Sequence, residues 1–126
     1  MIRTTKGFTL VEIMIVMAIM GIVVAIAAPT WFRQREISRS AACQENLTKI
    51  QGSMEQYALE FRLPQGGAVN FPQDLISPNN VGAGNGYLRA VPNCPSSGVY
   101  ATGGIGSVPT CSIGTNVGPF APHTMP

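Results

Sequence analysis

The sequence predicts an α+β chain: one long N-terminal α-helix followed by a small, loop-rich C-terminal cap containing a short β-hairpin. Three observations predict it. Residues 8–28 form an apolar run of 21 residues with a single charge, Glu12. Apolar residues then recur at helical spacing to about Arg62. Beyond Leu63 the composition changes abruptly: residues 64–126 hold nine of the ten prolines and eleven of the fourteen glycines, but only two charged residues, Asp74 and Arg89.

Residues 1–7 read as a short leader with two bases, Arg3 and Lys6. Residues 8–28 are long enough to cross a bilayer as a helix, since about 20 residues at roughly 1.5 Å each cover a hydrocarbon core of about 30 Å. The bases of the leader favour the cytoplasmic side and place the bulk of the chain outside. Glu12 is out of place in such a span, because a lone carboxylate in lipid costs a few kcal/mol unless it finds a partner. Gly21 and Pro29 are soft points of the helix; proline removes one backbone hydrogen bond and crowds the carbonyl four residues back. They suit a span that straightens or opens when it leaves the bilayer, and equally the ordinary tolerance of both residues in membrane helices.

Residues 29–63 read as the amphipathic second half of the same helix. Ile37, Ala41, Leu47, Ile50, Met54, Tyr57 and Phe61 form the expected apolar stripe, regular except for a six-residue step from Ala41 to Leu47. Leu63-Pro64-Gln65-Gly66-Gly67 ends the helix, since proline disfavours helix before it and the glycines release the chain. Residues 64–126 form the cap. Pro72 to Ile76 reads as one short turn or helix that packs Leu75 and Ile76 on the stripe. Asn79-Asn80 and Gly82 to Gly86 read as loop, Tyr87 to Val91 as an extended piece. Val99 to Thr102 and Ile105 to Ile113, joined at Gly103-Gly104, read as the hairpin, and the tail from Gly114 as irregular.

The run Gly7-Phe8-Thr9-Leu10-Val11-Glu12, with its basic leader and apolar continuation, resembles the processing site of type IV pilins and type II secretion pseudopilins. The resemblance covers roughly residues 6–30. It implies cleavage by a prepilin peptidase between Gly7 and Phe8, N-methylation of Phe8, and Glu12 as the fifth residue of the mature chain. Gly21 and Pro29 fall where the family often has a glycine and a proline. The resemblance also implies a reason for Glu12: it pairs with the amine of a neighbouring subunit, since two charges desolvated together attract strongly while either alone is expensive. The implied partners are identical or related subunits and an inner-membrane assembly machinery. The implied location is the inner membrane, with the C-terminal part exported, and then a pilus or pseudopilus. The alternative from a different class is a monomeric, single-pass, membrane-anchored binding module.

Three cysteines remain: Cys43, Cys94 and Cys111. The pattern from Tyr87 through Cys94-Pro95 to Cys111-Ser112 is similar to the C-terminal part of small pseudopilin-like proteins, which implies a Cys94–Cys111 disulfide. Such a bridge would stabilise the cap by about 3 kcal/mol on the loop-entropy argument. Cys43 reads as a small buried hydrophobe, or as a partner for another cysteine in this chain or a neighbour. No metal or cofactor is expected: the cysteines lack the close spacing of zinc sites, Asp74 alone is a poor calcium ligand set, which leaves only backbone carbonyls as a route to calcium, and His123, in a proline-rich tail, has no cysteine or carboxylate near it in sequence. The acid–base pairs of an enzyme and the basic patch of a nucleic-acid binder are both missing from residues 64–126.

Overall fold

The computed structural model describes residues 7–76, 86–116 and 121–125. The elements are α1 (Leu10–Glu60), α2 (Gln73–Ile76), β1 (Tyr100–Ala101) and β2 (Thr110–Cys111). The expected long helix and the small C-terminal part with an antiparallel strand pair are both present. The chain divides into two units, residues 1–35 and residues 36–126. The expected loops at Asn79-Asn80 and Gly82 to Gly84, and the middle of the tail, lie outside the described residues.

From Ile13 to Ala28, in the first unit, α1 is apolar on every side. Leu10, Ile13, Met17, Ile19, Ile22, Val24 and Ile26 are each more than half exposed. Such a surface is stable only against lipid or other apolar side chains. α1 is long and apolar enough to cross a membrane. Pro29 lies inside the helix without ending it, so the Ala25 carbonyl has no amide donor four residues on.

In the second unit α1 presents one buried face: Ser40, Cys43, Leu47, Ile50, Ser53, Met54 and Ala58. This corrects the expected stripe at its start. Ala41 is exposed and Ile37 half-buried, and the six-residue gap is filled by Cys43, which is 0% exposed. With it the steps become three and four throughout. α1 ends in a Schellman turn: Arg62 takes φ 51°, and the Leu63 amide donates to the Ala58 carbonyl at 2.9 Å. Leu75 of α2 is wholly buried and joins Cys43, Leu47, Ile50, Met54, Leu88, Cys94, Tyr100 and Cys111 in the core.

The hairpin is shorter than its sequence signal. β1 and β2 have two residues each, paired Tyr100↔Cys111 and Ala101↔Thr110. The second strand starts late because the segment before it folds as a turn. The Ser107 amide donates to the Gly104 carbonyl at 3.0 Å, Gly106 has φ 84°, and Pro109 has no amide to donate. Tyr87 to Val91 forms no strand; the Leu88 amide instead donates to the Leu75 carbonyl at 2.9 Å, which ties this segment to α2.

Candidate functional site

The expected processing site lies at the mouth of α1. Gly7, Phe8 and Thr9 are non-helical and exposed, and Phe8 is 81% exposed. The helix begins at Leu10 because Thr9 caps it: the Glu12 amide donates to Thr9 Oγ1 at 3.2 Å. Thr9 and Glu12 therefore occupy the first and last places of a Thr-x-x-Glu capping box. A carboxylate in the first turn is also favoured by the helix dipole. The Gly7–Phe8 bond thus sits two residues ahead of the helix start, in exposed, non-helical chain. Residues 1–6 of the expected leader, with Arg3 and Lys6, lie outside the described residues. Gly21 is exposed, and a Cβ added there would meet nothing within 4 Å.

Close to the end of the first unit, Trp31 and Phe32 are about 60% exposed and meet edge to face at 5.4 Å. The Arg35 guanidinium lies 5.9 Å from the Trp31 ring centre. Aromatic rings with a cation after an apolar span suit a membrane–water boundary. In the second unit Arg39 pairs with Glu36 at 2.9 Å.

A second constellation was not foreseen. Cys43 from α1, Cys94, Cys111 from β2, and His123 gather in one buried pocket. Their ligand atoms all lie within 4.8 Å of one another. None of the four is more than 6% exposed. The disulfide expected between Cys94 and Cys111 is not formed. All three thiols are free, and the two sulfurs stand 3.9 Å apart, against about 2.05 Å for a bond. Cys94 has a second neighbour at similar range: His123 Nδ1 is 3.6 Å from its sulfur.

The expectation that His123 has no such neighbour is corrected with it. Its ring is wholly buried, and Nε2 has no hydrogen-bond partner. The tail is pinned where the sequence suggested irregular chain. Ser40 Oγ and Gln44 Nε2 both donate to the Pro122 carbonyl, at 2.6 and 3.0 Å, and the His123 amide donates to the Gly114 carbonyl at 2.8 Å.

The sulfurs are supplied with donors. Tyr100 Oη donates to Cys43 Sγ at 3.6 Å, and Asn46 Nδ2 holds that phenol at 3.1 Å. The turn Cys94-Pro95-Ser96-Ser97-Gly98 folds over its own first sulfur, with Ser97 at φ 61° and its amide on the Cys94 carbonyl at 3.0 Å. Burial opposes ionisation of Cys94, but the Ser96 and Gly98 amides and the Cys43 and Cys111 thiols outweigh it and hold this thiol below its ordinary value. Burial pushes the Cys43 thiol up. Gly98 is needed for the approach: a Cβ there would run into Cys111 Sγ and come within 2.7 Å of Ile113 Cγ1 and 3.2 Å of Cys94 Sγ. The ligands come from positions 43, 94, 111 and 123, so no local spacing announces them. The one sequence signal was the gap in the stripe at Cys43.

Residues 2–28 match the family of the prokaryotic N-terminal methylation motif. The chain is 30% identical to the type II secretion system core protein G of Klebsiella pneumoniae over 118 residues, 86% of this chain and 84% of that protein. It is 27% identical to the core protein G of Aeromonas hydrophila, over 89% of this chain and 84% of the relative. The competence protein ComGC of Halalkalibacterium halodurans is 34% identical over 59 residues, 46% of this chain and 58% of that protein. No solved structure matches the chain.

Proposed function

Because the chain belongs to the type IV pilin and type II secretion pseudopilin family, a family of structural subunits and not of enzymes, we propose that it is a prepilin cut after Gly7, N-methylated at Phe8 and assembled into a secretion pseudopilus. The observation that carries this reading is the junction at the start of α1. An exposed Gly-Phe bond, a Thr9-capped helix start and an acid in the first turn precede an apolar helix surface that this chain leaves uncovered. Before assembly that surface sits in the inner membrane as a single span, with residues 36–126 exported. After assembly it packs on the same surface of identical or related subunits. Glu12 pairs with the Phe8 amine of a neighbour and sets register. Gly21 and Pro29 let the helix adjust between lipid and filament. The prepilin peptidase and an inner-membrane assembly machinery are the partners this route needs.

The similarity to core protein G over nearly the whole chain favours the pseudopilus. The shorter similarity to a competence protein supports a second reading, a subunit of a related pilus.

The test is intact mass and N-terminal sequencing of the protein purified from its native membranes. A chain that starts at Phe8 and carries one added methyl group is the expected result. A chain that retains Met1 while the cell's peptidase is active refutes the proposal and leaves the membrane-anchored module.

A further inference from the structure

We propose that Cys43, Cys94, Cys111 and His123 form a structural zinc site that ties the tail and the β1–β2 pair to α1. Two of the six ligand–ligand distances match the edges of a tetrahedral shell of three sulfurs and one nitrogen. Bond lengths of about 2.3 Å to sulfur and about 2.0–2.1 Å to nitrogen put tetrahedral S···S edges at about 3.8 Å and S···N edges at about 3.6 Å. The Cys94–Cys111 edge is 3.9 Å and the Cys94–His123 edge is 3.6 Å. All the ligand atoms fall within 4.8 Å of one another, so the remaining edges close with side-chain shifts of about an ångström or less.

The chemistry of the pocket fits the same ion. Thiolate and imidazole donors select zinc over the hard cations. Three thiolates and a neutral imidazole leave one net negative charge around Zn²⁺, and the surroundings answer it with donors: the Tyr100 hydroxyl on Cys43, and the Ser96 and Gly98 amides on Cys94. A wholly buried imidazole whose Nδ1 lies 3.6 Å from the Cys94 sulfur is placed to serve as a ligand through that nitrogen. Binding is balanced without redox change: three Cys–SH release three protons as three S–Zn bonds form, and the imidazole nitrogen donates its lone pair. The four ligands lie on α1, on the Cys94–Gly98 turn, on β2 and on the tail, so one ion joins four segments of a cap whose strands have two residues each. A domain this small gains most from such a staple.

The experiment uses the full chain in detergent, reduced and stripped with chelator, then titrated with Co²⁺ and Zn²⁺ alone. The expected result is one metal per chain, with the visible absorption of tetrahedral thiolate-bound Co²⁺. Zn²⁺ bleaches that absorption and protects all three cysteines from alkylation. Cys43→Ser and His123→Ala each weaken zinc by more than about 100-fold, since changes to groups that merely support a ligand already cost about 10- to 100-fold. His123→Cys restores tight binding. A folded, reduced wild-type chain that gives no tetrahedral Co²⁺ absorption overturns the proposal, and this titration decides even where a variant fails to fold. Native protein that carries a Cys94–Cys111 disulfide and no metal, two hydrogens lighter than the reduced chain, overturns it too. So does unchanged zinc affinity in Cys43→Ser, the outcome that a simple Cys94–Cys111 pair requires.

Discussion

Glu12→Gln separates the place the structure gives this carboxylate, at the helix start, from the pairing proposed for it. In the single chain Glu12 is exposed in the first turn of α1, where its backbone amide is already held by Thr9 Oγ1 at 3.2 Å. Loss of its charge there removes only the interaction with the helix dipole, about 0.3–1 kcal/mol, or about two- to fivefold in any equilibrium. In the proposed filament pairing the same carboxylate would be desolvated against a neighbour's Phe8 amine. Removal of one member of a buried pair costs about 3–5 kcal/mol, because the other charge is left unpaired, which is about 150- to 5,000-fold. The two roles therefore differ by more than an order of magnitude. The assay compares the filament fraction with the processed membrane pool at matched expression, with cleavage verified by mass. Glutamine keeps the size and hydrogen-bonding capacity of the side chain, so packing is little changed. Processed Glu12→Gln protein that assembles within about fivefold of wild type would refute the pairing and leave Glu12 as a helix-start residue only.

Two further outcomes follow from the cap. Leu47 is wholly buried and Leu59 is 80% exposed on the same helix, so Leu47→Ala costs about 2–5 kcal/mol and Leu59→Ala within about 0.5 kcal/mol. For a unit of this size the first lowers Tm by roughly 8 °C or more and the second by no more than about 4 °C; near-UV circular dichroism of the detergent-solubilised chain reads the cap without the span. Tyr87 donates to the Glu60 carboxylate; burial first, then that hydrogen bond and charge, raise its phenol from 10.0 to about 12. The folded state holds a proton that the unfolded chain gives up, so stability falls as pH rises from about 10 through about 12. Tyr87→Phe flattens that decline, and denaturant midpoints at pH 9 and pH 12 check it.

The helix was legible because its signals are local. An uninterrupted apolar run and a three-and-four spacing depend only on neighbours along the chain, and Gly7 to Glu12 is a contiguous motif. The stripe was misplaced at Ala41 because the burying partner, the Cys94–Cys111 layer, lies 50 or more residues away and prefers the Cys43 side of the helix. The hairpin lost most of its second strand because a Gly-rich stretch with alternating residues looks extended until a turn such as Gly104–Ser107 competes for it. The sulfur–imidazole pocket was invisible for a stronger reason. It is assembled by tertiary contact alone, and a histidine between prolines carries no periodicity that would place it inside. Pairing logic applied to two cysteines also took no account of the third thiol and the ring that share their space.

The clamp on Pro122 bears on the order in which the cap is completed. Ser40 and Gln44 reach a carbonyl 82 and 78 positions further along the chain. Closure over such a separation costs more chain entropy than any local turn, so it becomes favourable only after shorter-range contacts have drawn the ends together. Chain entropy thus favours an order in which the Leu47–Ile50–Met54 face is covered before the tail docks. Until then Ser40 and Gln44 are hydrated and incur no penalty for waiting. In that order the tail, which carries the wholly buried Ala121 and His123, closes the core as a latch closes a lid.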